Sequence, residues 1–583
     1  MAYPTLNTPR VSVDMTDIFK GYNHNARIGD GEFFDEKNIS SDNFPVLSPR
    51  RGRTQYTRSI INIDAIVAKD VLCYVNGEDF IVGTQAVPMY LDTDTSKNLV
   101  SMGSYVLIFP DKKYVNTRNL DDYGEIEIVN HLENNSVTVK PCSIEGVLIS
   151  PATSEAEPSN PDHGMVWVNP NDNLWYQYDG DEGKWFLFQS MYVLLNGTGI
   201  SDGLAEMDAV DITGADLDGL NGNYIVWHRE VDGIVVEFAV NKTTTVGVGM
   251  RVARELPTMD YVVEAGNRIW GCHYGEKADG TFVNEIYASK LGDFKNWRYF
   301  AGVSTDSYAA SVGSDGAFTG AVNYMGVPHF FKETCFHKVY GSYPANFQIA
   351  DTSCRGVQSG CHRSLAIVNE VLYYKSRTGI CAYDGSLPVE VSDALGHVMY
   401  NNAVGGALGH KYYVSMTDGQ DIPHLFTYDT RYGMWHKEDN TRAKDFCNFD
   451  GKLYYSDEIK NPETGGVGPL RRIMCISSDG DSDERVSWMA ETGPIGTDSP
   501  YRTFIQRLDI RMALEFGSYV SLFIQYDSCG EWEHAYTANY TDLASFSVPI
   551  RPRRCDHLRI RIVGEGAAKI FSICKHIGKG SNR

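Results

Sequence analysis

A turn residue recurs through the later part of this chain at a spacing that few folds accommodate. Gly326, Asn369, Gly409 and Gly451 each stand ahead of an apolar run, 43, 40 and 42 residues apart. Each unit reads as turn, short apolar strand, second turn, second strand. "VNEVLYYKSRTGICAYDGS" from Val368 is one such unit, and "GHKYYVSM" with "HLFTYDTRYGMWHKE" from Gly409 is another. Similar stretches begin at Asn76, Met102, Gly266, Met325 and Asp450, giving seven units. About 40–45 residues of strand and turn without helix is the length of one β-propeller blade. A lone four-stranded blade cannot bury both of its faces, so blades must stack against each other. Seven units predict a propeller of six to eight blades.

Composition agrees with an all-β chain. Aromatics make up 12% of the 583 residues, with 35 Tyr, and Gly is 55. Val, Tyr and Phe suit pleated, half-buried surfaces, while Gly supplies positive-φ turns. Long amphipathic helices are nearly absent.

The repeat divides the chain. Residues 1–53 read as an N-terminal arm with the first strands, and 54–119 as the first blades. The spacing then breaks, and 120–253 reads as inserted β structure. That insertion holds a Pro-, Ser- and acid-rich linker, Ser150 to Gly164, followed by a Trp-rich module over 164–190. Blades resume over 254–486. Residues 487–583 alternate apolar and polar ("RLDIRMAL", "HLRIRIVG") and predict a closing β-sandwich.

The formal net charge is −23. Such a surface repels phosphate and argues against wrapping nucleic acid, although it suits a channel through which DNA slides. The first twenty residues carry no secretion-signal pattern, and no run approaches 18 apolar residues, so no membrane-spanning segment is expected. The 12 Cys are scattered, six of them inside apolar runs, as free thiols in a reducing cytosol would be. Cys354, Cys361 and His362 form the tightest group but lack the second pair of ligands that zinc requires.

Trp167, Trp175 and Trp185 place three of the nine Trp within nineteen residues. Exposed indoles can stack on sugar rings; buried ones would simply be the core of a tiny module. Acidic turns at Asp179/Asp181/Glu182, Asp211/Asp216/Asp218 and Asp479/Asp481/Asp483 offer oxygens, but none has EF-hand spacing. Basic residues cluster at Arg50, Arg51 and Arg53 and again at Arg551, Arg553 and Arg554, where subunit or adaptor contacts are expected. No G-x-S-x-G, H-E-x-x-H or Walker loop occurs. The expectation is a structural protein that is not an enzyme and uses neither cofactor nor metal.

Two segments carry a family resemblance. "DIFKGYNHNARIGDGEFFDEKNISSDNFPVLSPRRGR", from Asp17, resembles the opening of certain phage tail proteins through Phe19, Gly21, Asn23, Gly31, Glu32, Asn38, Pro45, Pro49, Arg50 and Gly52. The C-terminal stretch is similar to their closing sandwich at Glu491, Gly493, Tyr526, Asp527, Trp532, Pro552, Gly564, Gly566 and Ile570 to Ile573. Together they resemble the propeller-type tail nozzle, or DNA-stabilisation (tail hub), family of bacteriophages. That resemblance implies a ring, usually a hexamer, below the portal and adaptor, lining the exit path of genomic DNA in the virion tail. The chain would be made in the host bacterial cytoplasm. Its implied partners are further copies of itself, the adaptor or other tail proteins, and passing DNA without sequence-specific contact. Two alternatives stand beside it. One is a receptor-binding or fibre-attachment tail protein that recognises host surface glycan through the Trp-rich insertion. The other is a bacterial β-propeller glycosidase or lectin.

Overall fold

The computed structural model describes residues 11–57, 63–133, 135–277, 280–459, 470–477, 482, 484–497, 502–539 and 542–579. The third acidic turn, Asp479/Asp481/Asp483, lies outside them. Among the described residues there is no α-helix, only strands and four short 3-10 turns. The fold is an all-β propeller with inserted β structure and a C-terminal sandwich. Two compact units are present: Met1–Lys97 with Phe330–Phe336 and Asp351–Arg583, and Asn98–His329 with His337–Ala350.

Seven four-stranded units are the blades, six of them in sequential strand order. In the first unit the blades begin at Ile63–Ala68, Ala366–Val368, Asn401–Leu408 and Ala443–Phe449. In the second they begin at Asn98–Met102 and Tyr261–Ala265, and the blade that opens at Gly320–Tyr324 ends on Gln348–Ser353. The last blade departs from sequential order. Its fourth strand is Thr54–Gln55, which pairs with Leu470–Ile476. The turn residues of the repeat carry the backbone strain of the tight hairpins: Gly326, Asn369, Gly409 and Gly451 all have positive φ, between 48° and 79°. Gly tolerates that region freely and Asn better than most residues.

Blades of the first unit pack through Tyr. Tyr374, Tyr383, Tyr412 and Tyr455 are fully buried. Each can be buried because its hydroxyl is paired, as in Tyr374 to the Arg355 carbonyl (2.6 Å) and Tyr412 to the Ser364 carbonyl (2.8 Å).

Three innermost strands of this unit carry a bulge near their start, between Ile63 and Ile66, Asn401 and Val404, and Ala443 and Phe446. A bulge frees backbone groups from the ladder, and these need other partners. Asp445 accepts the Ile66 N–H (2.8 Å) and the Phe446 N–H (3.0 Å). Arg363 donates to the carbonyls of Asp64 (2.8 Å), Lys444 (2.8 Å) and Lys97 (2.6 Å). Burial pushes the Asp445 carboxyl above its ordinary pKa, against the opposing pull of Arg363.

The sandwich is built from both ends of the chain. Val11–Thr16 pairs with Ala568–Lys579, which continues to Thr503–Leu514 and Ala544–Pro549. The facing sheet has ten strands. It runs from the blade at Asn401–Leu408 through Gly21–Tyr22 and Glu32–Lys37 to Ser487–Thr492, Leu558–Glu565, Tyr519–Tyr526 and Glu533–Ala538. Between the sheets lie Leu508, Ile510, Met512, Leu522, Ile524, Ile560 and Ile562, all essentially inaccessible. Leu558–Glu565 alternates buried and half-buried along its whole length, as a strand with one core face must.

In the second unit, between the blades at Asn98–Met102 and Tyr261–Ala265, two sheets share a core of Val137, Val139, Val193, Leu195, Ile234, Val236 and Val252. A separate small sheet is formed by Ala152–Thr153, Val166–Asn169, Leu174–Asp179 and Lys184–Leu187.

Candidate functional site

This small sheet spans fewer than forty residues, too few to bury both faces of a sheet. Strand register sorts its aromatics. Trp167 lies opposite Tyr176, which lies opposite Leu187, and Tyr178 lies opposite Trp185. These five side chains and Leu174 therefore share one face. Trp175 lies opposite Val168 on the other face and packs against the buried Phe188, with ring centres 5.7 Å apart.

The shared face is a continuous aromatic surface. Trp167 stacks on Tyr176 at 5.3 Å and meets Trp185 at 5.5 Å, and Trp185 meets Tyr178 at 5.2 Å. Trp167 is its buried floor, 4% exposed, with its indole N–H given to the Ser154 carbonyl (2.9 Å). Tyr176, Tyr178 and Trp185 are half-buried, and Leu187 is 65% exposed. Polar groups edge it: Tyr176 donates its hydroxyl to Asp172 (3.1 Å), and Asp172 is exposed. Of the three Trp named from sequence, the structure brings Trp167 and Trp185 together and sends Trp175 to the opposite side. Tyr176 was not singled out, although two-residue alternation along "LWYQYD" places it on the same face as Tyr178.

The hairpin that holds Tyr178 and Trp185 has a twin in the blade strand Pro423–Asp429. Asp179 accepts the Asp181 N–H (2.9 Å) across its turn, and Asp429 accepts the Arg431 N–H (3.0 Å). Tyr428 meets Trp435 at 4.9 Å, but there Trp435 is 1% exposed. The same local chemistry makes a core in the blade and an accessible ring surface in the small module.

The basic clusters divide. Arg50 and Arg53 were expected at subunit or adaptor contacts. They are instead 9% and 7% exposed and committed within the first unit. Arg50 forms a two-pronged contact to Glu484 (3.1 and 3.2 Å), and Arg53 pairs with Glu438 (2.5 Å) and Asp439 (3.0 Å). A guanidinium whose terminal nitrogens are paired with carboxylates and whose surface is covered has little to offer a neighbouring subunit. Burial would raise the Asp439 carboxyl, but Arg53, Thr441 and Arg50 outweigh it and hold it below the usual carboxylate range. Arg51, Arg551, Arg553 and Arg554 are exposed; Arg553 pairs with Glu533 (2.8 Å) and lies over the Tyr526 ring.

Of the first acidic turn, Asp179 and Asp181 come together with His163, their candidate ligand atoms within 4.8 Å of one another, whereas the other sequence candidates stay apart. Asp211 pairs with Arg298 (2.6 Å), while Asp216 caps the Gly247 N–H (3.0 Å). Cys361 accepts the Ala403 N–H, and Cys354 turns to the Thr352 carbonyl, so the two thiols serve separate backbone partners. No helix among the described residues is long and apolar enough to cross a membrane.

No protein-family model and no curated protein matches this chain. Solved structures are similar to it, at low TM-scores. A phage phi92 endosialidase is 12% identical, covering 79% of this chain and 75% of its own, with a TM-score of 0.26. An exo-β-1,3-galactanase from Phanerochaete chrysosporium is 9% identical over 54% of this chain and 94% of its own, at 0.21. A Trypanosoma rangeli sialidase in complex with sialic acid is 10% identical over 97% and 95%, at 0.20. Each likeness is one of fold alone. The expectation that this chain is not an enzyme is withdrawn: the solved structures it is similar to include glycoside hydrolases, a sialidase and an endosialidase.

Proposed function

We propose that this chain is a glycan-recognising β-propeller of a bacteriophage tail, with the aromatic face of the inserted module as its contact surface. One observation carries the reading: Trp167, Trp185, Tyr176 and Tyr178 form a ring surface on one face of a small sheet, accessible above its Trp167 floor and edged by polar groups. A pyranose has an apolar C–H face and a rim of hydroxyls. The C–H face packs on aromatic rings, and the rim hydrogen-bonds to carboxylates and phenols such as Asp172 and Tyr176. Monomers rarely leave such a surface uncovered without a use for it. The phage setting is supported by the terminal-segment resemblance.

Sedimentation of the purified chain with insoluble peptidoglycan and with lipopolysaccharide vesicles tests the reading. The wild type is expected to co-sediment with one of them and Trp185→Ala to stay in solution. Equal behaviour of the two proteins would defeat it.

A second reading, the nozzle ring below a portal, keeps one specific support. The two family-like segments, more than 400 residues apart, meet in the sandwich: Phe33 and Asp35 pair with Thr492 and Glu491, and Leu47 bridges to Ile570. Imaging of virions separates the two readings by whether the chain sits on the tail axis or at its periphery.

A further inference from the structure

We propose that the outer face of the C-terminal sandwich holds a zinc-binding site formed by Asp509, Cys574 and His576. The three residues sit on neighbouring strands, Thr503–Leu514 and Ala568–Lys579, where Asp509 lies directly opposite Cys574 and Arg507 opposite His576. Leu508 and Ile510 on one strand and Ile573 on the other point into the core, so Asp509, Cys574 and His576 share the outward face. Their candidate ligand atoms all lie within 4.8 Å of one another. The His576 Nε2 is 2.8 Å from an Asp509 carboxylate oxygen and 3.9 Å from the Cys574 sulfur.

A thiolate, an imidazole and a carboxylate are the three ligand types of protein zinc sites, and three protein ligands leave a fourth position for water. Tetrahedral zinc with bonds of about 2.0–2.3 Å spaces its ligands roughly 3.3–3.8 Å apart. The sulfur–nitrogen separation is already close to this, and the carboxylate need withdraw only about half an ångström. The other oxygen of Asp509 accepts the Ser547 hydroxyl, the kind of outer partner that fixes a ligating carboxylate.

A second observation points the same way. His576 Nε2 lies 2.8 Å from the Asp509 carboxylate, which can only accept, and 3.2 Å from an Arg507 N–H, which can only donate and which is also ion-paired with that carboxylate at 3.1 Å, a pair that metal binding would exchange for the ion. One ring nitrogen cannot be protonated for the first and bare for the second. A divalent cation in place of the guanidinium satisfies both, because nitrogen and carboxylate then each direct a lone pair at the ion. Binding displaces Arg507 to solvent and releases the Cys574 thiol proton, as thiolate ligation requires.

Cobalt(II) titration of the full-length chain, followed by zinc competition, tests this. One equivalent is expected to give a near-ultraviolet thiolate-to-cobalt charge-transfer band that zinc abolishes. Cys574→Ser should remove the band, His576→Gln should weaken binding at least tenfold, and Arg507→Gln should tighten it because the competing cation is gone. Absence of the band in the wild-type chain, its survival in Cys574→Ser, or unchanged or weaker affinity in Arg507→Gln would each overturn the site. The arginine variant keeps the test decisive if a ligand variant fails to fold.

Discussion

Arg53 shows how much of this chain is held together by charges that were expected to face outward. Its guanidinium is 7% exposed and shared among Glu438, Asp439, Thr441 and Tyr455. Removing one member of a buried pair strands the other, which costs about 3–5 kcal/mol. Arg53→Leu is therefore expected to lower the urea midpoint sharply, whereas Arg551→Ala, at an exposed position, should move stability by no more than about 0.5 kcal/mol. A buried imidazole gives a separate signature. Burial pushes His329 from 6.5 to about 4, with Lys338 adding to the effect. The folded-state value lies below the unfolded one, so the unfolded chain takes up the proton first. Stability is thus full above pH 6.5 and lost as pH falls toward 4, by about 3 kcal/mol for this one group. In His329→Gln the slope of stability between pH 6.5 and 4 should flatten, as chemical denaturation at a series of pH values would reveal.

Local devices account for what the sequence made readable among the elements. The blade turns could be located because a tight hairpin needs a residue that accepts positive φ, and Gly409 (φ 58°) and Gly451 (φ 69°) declare themselves by type. A Cβ at Gly409 would meet nothing within 4 Å, so the penalty for Gly409→Ala is conformational alone, about 1 kcal/mol. Thermal unfolding should register that small loss, while a cost of several kcal/mol would mean that the turn does more than reverse the chain. Pairings between distant segments left no such mark. Thr54–Gln55 completes the blade of Leu470–Ile476, and Gly21–Tyr22 joins a blade strand to the sandwich sheet. Their blade partners, Leu470–Ile476 and Met434–Lys437, lie some four hundred residues away, and a strand of two residues has too little pattern to announce one. The same distance hid the fate of Arg50 and Arg53, whose carboxylates come from 438, 439 and 484. The aromatic module falls between these cases. Its Trp density was plain, and strand alternation puts Tyr176 and Tyr178 on one face, but that Trp167 shares that face followed only once its register with Tyr176 was known.

For the whole molecule, a net charge of −23 disfavours polyanions as ligands and leaves neutral or weakly charged sugars as the class an aromatic face can hold without electrostatic cost. In the proposed reading the recognition surface is the small inserted module of the second unit. The most direct test of this account is binding of the full-length chain to an array of bacterial surface polysaccharides, with the wild type compared against Trp185→Ala and Trp175→Ala. The account predicts selective binding by the wild type, a loss of about tenfold or more in Trp185→Ala, and near wild-type binding in Trp175→Ala, whose ring lies on the opposite face. Absence of selective binding by the wild type, or equal losses in the two variants, would contradict it.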